Sequence, residues 1–282
     1  MLQPSIFRDG LFEGQVILVT GGGSGIGRAI AHELAALGAT LVLASRTVEK
    51  LEKVQAEIEA AGGKAIALVC NIRDEEQVKN TVQTIIEKLG RLDGLVNNAG
   101  GQFSSPAEAI SAKGWNAVLD TNLTGTFYMS RAAHQAWMRE HGGAIVNIVA
   151  EMWRGFPNMA HTGAARAGVV NLTQSLAVEW SQYGIRVNSV APGLIDSSGL
   201  KTYPPQVQAM LQSVANDIPA KRMGTESEIA TAVAFLLSPA AAFISGETLK
   251  VDGAGSLYRL QGYVVPEHAP WPKFELKVPS NE

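Results

Sequence analysis

The length, composition and charge of the chain exclude several classes of protein. Its 282 residues are 46% hydrophobic and 17% charged, which provides a core for one ordered domain and argues against disorder. A formal net charge of -3 offers no basic surface for nucleic acid, and the single cysteine, Cys70, rules out a disulfide within the chain. No apolar run approaches the roughly 18 to 20 residues that span a bilayer, and the first residues lack a signal-peptide pattern, so we expect no membrane partner.

Short apolar segments that predict strands alternate with longer amphipathic segments that predict helices. The predicted strands span 15–20, 40–45, 64–69, 94–99, 144–149, 185–190 and 247–252. The predicted helices include 27–37, 48–60, 74–89, 115–140 and 163–180. Because this alternation is typical of βαβ units, we predict a single α/β domain over 1–282, a doubly wound (Rossmann) fold with a seven-stranded parallel sheet. Residues 252–282 are rich in proline and aromatic residues, and we expect this C-terminal extension to pack on the surface or at a subunit interface.

A glycine-rich turn joins the first predicted strand to the first helix. It reads Thr-Gly-Gly-Gly-Ser-Gly-Ile-Gly from Thr20. Glycines allow backbone N–H groups to approach a pyrophosphate, and the helix N-terminus adds partial positive charge. The pattern therefore predicts a dinucleotide site; the alternative is an ordinary strand-to-helix turn. The residues expected to bind the cofactor here are Gly21, Ser24, Gly25, Ile26 and Gly27.

The end of the second strand indicates which dinucleotide binds. A site for NAD normally places a carboxylate there for the ribose 2′-hydroxyl, whereas this chain has Ser45 and Arg46. A serine hydroxyl and a guanidinium suit a 2′-phosphate, so we predict NADP (NADPH) over NAD. The alternative is that Arg46 is a solvated charge at the start of the next helix.

Three further motifs complete a recognisable pattern. They are Asn97-Asn98-Ala99-Gly100 after the fourth strand, Asn122 within TNLTGTF, and Pro192-Gly193 after the sixth strand. With the glycine turn, they make the chain resemble the short-chain dehydrogenase/reductase family over nearly its whole length. The resemblance implies further cofactor-binding residues, namely Asn71, Ile72, Asn98, Ala99, Gly100, Pro192, Gly193, Leu194, Ile195 and Ser197.

The usual catalytic residues of that family are replaced. The family pattern has Ser, Tyr and Lys where this chain has Ala150, Thr162 and Arg166, and only Asn122 of the tetrad remains. An alkyl hydroxyl is far too weak an acid to take the role of the tyrosine. A guanidinium stays charged, so Arg166 can hold the nicotinamide ribose but cannot shuttle a proton. We therefore expect catalysis by Asn122, Thr162 and Arg166 to differ from ordinary ketone reduction.

Longer stretches resemble one branch of the family, the peroxisomal trans-2-enoyl-CoA reductases. These stretches are GGQFSSPAEAISAKGWNAVLDTNLTGTFYM, HTGAARAGV, CNIRDEEQV and VPEHAPWP. The resemblance implies NADPH-dependent reduction of a trans-2-enoyl-CoA, whose enolate needs stabilising donors more than a strong acid. Two alternatives stay open: a carbonyl or alcohol oxidoreductase with another proton donor, and a non-catalytic NADP-binding protein.

Other polar residues have competing interpretations. His161 adjoins Thr162 and could act on the substrate, although a histidine in the first turn of a helix is more often a cap. Glu151 could act as a base, but a solvated loop carboxylate is the more common case. Lys221 and Arg222 could pair with coenzyme A phosphates, although an exposed charge pair is the default. No cluster of His, Cys or carboxylate residues has the spacing of metal ligands.

The setting and assembly of the chain are also expectations. The wide apolar faces of the helical segments 122–138 and 163–180, with the family resemblance, imply a homotetramer. The sequence ends in Pro279-Ser280-Asn281-Glu282 rather than in a Ser-Lys-Leu-like tripeptide, so we expect a cytoplasmic setting.

Overall fold

The computed structural model describes residues 6–200, 205–258 and 265–276. Its centre is a seven-stranded parallel sheet with the order β3-β2-β1-β4-β5-β6-β9. The strands are β1 (Val16–Thr20), β2 (Thr40–Ser45), β3 (Lys64–Val69), β4 (Gly94–Asn97), β5 (Gly143–Ile148), β6 (Ile185–Pro192) and β9 (Thr248–Val251). Two residue pairs, β7 (Ile195–Asp196) and β8 (Gly224–Thr225), form a separate short ladder. The predicted doubly wound seven-stranded sheet is confirmed.

Nine α-helices connect the strands within the described residues. They are α1 (Gly25–Ala36), α2 (Val48–Ala60), α3 (Glu75–Leu89), α4 (Ala112–Leu119), α5 (Gly125–Ala133), α6 (Arg139–His141), α7 (Ala160–Glu179), α8 (Pro205–Asp217) and α9 (Glu226–Leu237). Local chemistry sets several of the ends. The side chain of Asp74 caps α3 by accepting from the N–H groups of Glu76 and Gln77, and Gly90 ends that helix at φ 73°. In none of the described segments is a helix both long and apolar enough to cross a bilayer.

Alternating side chains of the buried strands separate the core into two layers. Ile17 and Val19 of β1 face the layer packed by α1, α2 and α9, whereas Val16 and Leu18 face the layer packed by α3, α5 and α7. A strand that is buried on both faces has a nearly continuous apolar sequence, as VILVT does. The two apolar layers therefore fix the sheet, and the carboxyl ends of its strands meet at one edge.

Several parts of the fold differ from the prediction or were not anticipated. The helix predicted over 115–140 runs as α4, α5 and α6, joined by the π-helical turns Asp120–Thr124 and His134–Met138. Helix α1 begins at Gly25, two residues before the predicted start. Helices α8 and α9, which lie between β6 and β9, were not named from the sequence.

The described part of the C-terminal extension lies along the start of α9. The N–H group of Trp271 donates to the carbonyl of Ala220 (3.0 Å), and the N–H group of Leu276 donates to Oγ of Ser227 (3.1 Å). Leu276 is buried in the core layer of α9. This segment therefore packs on its own domain, while Tyr263 and the last six residues lie outside the described part.

Candidate active site

The glycine turn between β1 and α1 has the backbone that a dinucleotide requires. Gly21 and Gly25 adopt φ values of 67° and 57°, which side-chain-bearing residues rarely adopt. A Cβ atom on Gly27 would collide with the carbonyl oxygen of Gly21 and lie 2.5 Å from Nδ2 of Asn98. Ser24, the N-cap of α1, makes no side-chain capping hydrogen bond. The first N–H groups of α1 are thus left for a ligand, so the turn fits a pyrophosphate.

Asn98 and Ala99 hold the glycine turn in place through hydrogen bonds to Thr20. Nδ2 of Asn98 donates to the carbonyl of Thr20 (3.0 Å), and the N–H groups of Asn98 and Ala99 both donate to Oγ1 of Thr20 (3.0 Å each). That hydroxyl donates in turn to the carbonyl of Val96 (3.2 Å). The contacts join the ends of β1 and β4, which is where the strand order reverses and a crevice opens.

The end of β2 presents positive charge beside the turn. Oγ of Ser45 forms hydrogen bonds with the carbonyl oxygen and the N–H group of Thr47 in a local turn (3.3 Å each). Arg46 is exposed. Lys50, in the first turn of α2, packs so closely on the glycine turn that a Cβ atom on Gly23 would lie 2.9 Å from its Cβ. Sequence reasoning missed Lys50, because the contact depends on how α2 packs.

Asn122 lies in the π-helical turn between α4 and α5 and is fully buried. Its Nδ2 donates to the carbonyls of Gly101 (2.7 Å) and Val118 (2.9 Å), and its Oδ1 accepts from the N–H group of Gly101 (3.2 Å). The amide therefore holds the segment that follows β4. With both of its polar atoms used on backbone, Asn122 positions the site.

Arg166 on α7 reaches the same point from the other side. A Cβ atom on Gly100 would lie 2.5 Å from Nη2 of Arg166 and 2.7 Å from Oδ1 of Asn122, so a side chain at position 100 would displace these two groups. Nη1 of Arg166 donates to the carbonyl of Ile148 at the end of β5 (2.8 Å), and its Nε is buried without a hydrogen-bond partner among the described residues. Burial lowers the pKa of Arg166 to about 10, so the guanidinium stays cationic at neutral pH.

His161 and Thr162 are buried at the start of α7, each with 0% exposure. Nδ1 of His161 accepts from the N–H group of Thr162 (2.8 Å) and lies 3.4 Å from its Oγ1. The ring of Phe103 stands edge-on to the imidazole ring of His161, with 4.4 Å between the two ring centres. Phe156 packs against Gly163. This geometry favours the capping interpretation of His161, and its catalytic role stays a prediction.

The remaining predicted cofactor residues divide into side chains in the core and residues on loops. Ile72 packs against Gly125 and Ile195 against Gly224, and both side chains belong to core clusters, so only their backbone could meet a cofactor. Gly193 lies against Asp252 after β9. Asn71 and Ser197 are the other loop residues at this edge of the sheet, and Pro192 is the last residue of β6.

The loop after β6 also closes toward the glycine turn. The side-chain atom nearest to a Cβ atom placed on Gly25 is Oγ of Ser198 (3.2 Å). Ser198 was not among the predicted cofactor-binding residues. The N–H group of Ser198 donates to Oε1 of Glu226 (3.0 Å), which ties the loop to the start of α9.

One feature behind the site was not visible in the sequence. A buried polar chain links β4, β5 and β6 to α5 and α7: Asn97 donates to Ser130 and Asn147, Asn147 donates to Thr173, and Thr173 pairs with Ser189. Such fully paired networks favour one arrangement of helices over others.

Arg222 corrects the interpretation of an exposed charge pair. Its guanidinium binds Glu228 (2.6 Å) and the carbonyls of Trp271 and Pro272 (2.8 Å each), and only 13% of its side chain is exposed. Arg222 therefore holds the C-terminal extension against the domain. Because its guanidinium is already engaged by these contacts, it is not available to bind coenzyme A phosphates.

Comparison with protein families gives one match over most of the chain. The family model described as enoyl-(acyl carrier protein) reductase matches residues 21–255. The chain is 38% identical to a Bacillus subtilis (strain 168) protein named "Probable 2,4-dienoyl-CoA reductase", over 86% of this chain and 96% of the relative. It is 39% identical to the 3-oxoacyl-(acyl-carrier-protein) reductase FabG of Vibrio harveyi, over 86% of this chain and 97% of the relative.

A solved structure is more similar in sequence. It is the citronellol catabolism dehydrogenase AtuB of Pseudomonas aeruginosa PAO1, which is 51% identical with a TM-score of 0.82. The match covers 90% of this chain and 100% of that structure. The relatives therefore include enzymes named for C=C reduction and enzymes named for carbonyl or alcohol chemistry.

Proposed function

Because the chain belongs to the short-chain dehydrogenase/reductase family of oxidoreductases, which use a nicotinamide cofactor, we propose that it reduces a trans-2-enoyl-CoA thioester. The electron donor in this proposal is NADPH, and the product is the saturated acyl-CoA. The observation that carries the proposal is the site at the start of α7. There Thr162 and the buried cation Arg166 occupy the positions of the catalytic tyrosine and lysine of the family pattern. A fixed cation and a hydroxyl suit a reaction that builds up an enolate more than one that needs a poised acid.

The cofactor choice rests on charge at the end of β2. Arg46 is exposed there, and Lys50 lies against the glycine turn at Gly23. No acidic side chain takes the position that a ribose 2′-hydroxyl requires. Arg46, next to Ser45 in the sequence, and Lys50, in the first turn of α2, support binding of a 2′-phosphate, and hence NADPH.

The cofactor supplies a hydride when it is bound, and the chain's residues prepare the site for that transfer. Asn122 holds the backbone of Gly101, and so keeps the segment after β4 in place. Arg166 adds positive charge next to Gly100, where it can hold ribose hydroxyls and stabilise developing negative charge. The hydroxyl of Thr162 is the proposed donor to the thioester oxygen.

Access to Thr162 requires movement. Phe103 covers His161, and Phe156 packs on Gly163 one residue beyond Thr162. Both aromatic residues belong to connecting segments, after β4 and after β5, rather than to the sheet. In this proposal the acyl chain displaces them on entry, which also excludes water from the enolate.

A second candidate is a carbonyl or alcohol oxidoreductase, and the names of two relatives favour it. FabG is named for reduction of a 3-oxoacyl group, and AtuB is named a dehydrogenase. Against it stands the absence of a tyrosine and a serine at positions 162 and 150.

A substrate panel separates the two candidates. The purified protein is incubated with NADPH and, in separate reactions, a trans-2-enoyl-CoA, a 2,4-dienoyl-CoA, a 3-oxoacyl-CoA and simple ketones; alcohols are tested with NADP. Oxidation of NADPH is followed by absorbance, and products are identified by mass spectrometry. We expect a mass gain of two hydrogens on the enoyl-CoA. Activity on the carbonyl or alcohol substrates alone would establish the second candidate.

A further inference from the structure

A cavity lies at the carboxyl ends of β5 and β6, between the segments that follow these two strands and helix α8. Its volume is about 260 Å³, and it is lined by Gly193 and Leu194 after β6, by α8 and by the segment after β9. Its apolar wall includes Leu194, Val214 and Ile218. The polar groups on the cavity therefore stand next to apolar surface that suits an acyl chain.

Glu151 lines this cavity from the end of β5, directly after Ala150. Its N–H group donates to the carbonyl of Pro192 (3.2 Å), which fixes the main chain of Glu151 against β6. Glu151 is half-buried, whereas a solvated loop carboxylate would be exposed. The carboxyl group of Glu151 is therefore only partly solvated.

The other charged groups around the cavity are poorly suited to deliver a proton. Oδ1 and Oδ2 of Asp252 accept from the N–H groups of Ala254 (3.0 Å) and Ser256 (2.9 Å), so both carboxyl oxygens are engaged by backbone. Asp217 on α8 and Arg154 after β5 are both exposed to solvent.

The charges that face Glu151 act on it in both directions. Burial, followed by the like charge of Asp252, raises the pKa of Glu151, while Arg154 and Lys250 oppose the rise. Lys250 is partly engaged elsewhere, since its Nζ lies 4.3 Å from the centre of the Trp153 ring. The net effect is a raised pKa, so Glu151 keeps its proton to a higher pH than an ordinary glutamate does.

We propose that the Glu151 carboxyl is the proton donor that completes C=C reduction in this cavity. The inference rests on the proposed function. Hydride adds to the β-carbon of the enoyl thioester, and the C=C electron pair moves toward the carbonyl to form an enolate. The enolate α-carbon then takes the carboxyl proton: the O–H bond of Glu151 breaks, an α-carbon–hydrogen bond forms, and the carboxylate is reprotonated by water. Glu151 thereby replaces the missing tyrosine, which the buried hydroxyl of Thr162 cannot do.

The test follows where the solvent proton goes. Parent protein, Glu151→Gln, Glu151→Asp and the control Glu247→Gln are each given trans-2-enoyl-CoA and NADPH in D₂O. The control residue is an exposed carboxylate just before β9, at the opposite edge of the sheet. The position and facial purity of deuterium at C2 are read by NMR of a chiral derivative, and kcat is measured against pH.

We expect the parent and the control to place deuterium on one face, and kcat of the parent to fall as pH rises through the raised pKa of Glu151. Glu151→Gln should lose about a hundredfold or more in kcat, deuterate both faces and lack that pH limb, since loss of a general acid typically costs 10² to 10⁴-fold. Glu151→Asp should recover part of the rate and the facial preference.

Two results would overturn the assignment: single-face deuteration by Glu151→Gln at the parental rate, or a slowed variant that keeps both the facial preference and the pH limb. NADPH affinity, measured by fluorescence, shows that each variant is folded. Failure of the proposed function is seen separately, since the parent itself would then not reduce the enoyl-CoA.

Discussion

The two halves of the site are built in different ways. At the ends of β1 and β2, backbone packing defines the site: Gly21 and Gly27 are required by their conformation or by the space around them. At the ends of β4 and β5 and at the start of α7, buried polar side chains define it, and Thr162 and Arg166 are the two that depart from the family pattern.

The difference separates binding from chemistry. A dinucleotide binds where its pyrophosphate can approach the backbone closely, and side chains at the glycine positions would block that approach. The first half of the site therefore keeps the pattern of the family. The chemistry depends on which proton donors and cations surround the substrate, and the second half can change those while the sheet and helices stay in place. The family fold thus identifies the cofactor class, and the replaced side chains indicate the reaction.

The largest expected effect is in the second half, at Arg166. Replacement by alanine removes a buried cation beside Gly100 and the hydrogen bond to the carbonyl of Ile148. We expect Arg166→Ala to lower kcat/KM for enoyl-CoA by about a thousandfold, at the upper end for loss of one preorganised electrostatic group, and to weaken NADPH binding. Steady-state kinetics and fluorescence titration measure the two effects. Arg166→Lys, which keeps the charge, should fall between; a loss under tenfold for Arg166→Ala would contradict its role.

Thr162 should give a smaller effect, confined to turnover. Thr162→Val keeps the shape of the side chain and removes its hydroxyl. If that hydroxyl donates to the thioester oxygen, kcat should fall about a hundredfold while NADPH affinity stays unchanged. Pre-steady-state and steady-state rates with enoyl-CoA provide the measurement. Turnover at the parental rate would show that Thr162 is not the donor.

In the first half, Arg46 should control which cofactor binds. We expect the parent to bind NADPH at least about tenfold more tightly than NADH, a difference of about 1.4 kcal/mol, and Arg46→Asp to shift the preference toward NADH. Lys53→Asp is the matched control, since it makes the same charge change at an exposed position on α2. Equal affinities of the parent for the two cofactors, by fluorescence titration, would refute the assignment of NADPH.

The smallest effect is on stability, behind the glycine turn. Oε2 of Glu57 on α2 accepts from Nε of Arg28 (2.6 Å) and lies 3.0 Å from Nε2 of His32 on α1. Burial acts to raise the pKa of Glu57, but the hydrogen bonds with Arg28 and His32 outweigh it and lower the pKa. A lowered carboxyl pKa stabilises the fold above its unfolded value near 4.3, and this contribution is lost as pH falls through the folded pKa.

Glu57→Gln should therefore cost about 1 kcal/mol of unfolding free energy at pH 7, since Arg28 is partly exposed. The difference from the parent should shrink below about pH 4, as measured by urea unfolding. Glu59→Gln, an exposed change on the same helix, should stay within about 0.5 kcal/mol of the parent throughout. A gap for Glu57→Gln that is constant with pH would contradict the ion-pair explanation.

Much of the fold could be predicted from local pattern. The bounds of β2, β3 and α2 agree with the prediction, because each is a continuous apolar or amphipathic run between turn residues. Helix α9 was missed although its capping box, formed by Thr225 and Glu228, is a local signal in the sequence.

The site was predictable only in part. The glycine turn and the position of Arg166 follow from spacing. The burial of His161 under Phe103, the contact of Lys50 with Gly23 and the cavity around Glu151 depend on how distant segments pack, which spacing does not contain.

The central claim is that the second half of the site favours a C=C bond over a carbonyl group. One competition reaction tests it: equal concentrations of a trans-2-enoyl-CoA and a 3-oxoacyl-CoA of the same chain length, limiting NADPH, and product analysis by mass spectrometry. The product ratio equals the ratio of the two kcat/KM values, and we expect saturated acyl-CoA to exceed 3-hydroxyacyl-CoA by at least about a hundredfold, a difference of about 2.7 kcal/mol between the transition states. A product that is mainly 3-hydroxyacyl-CoA would contradict the account.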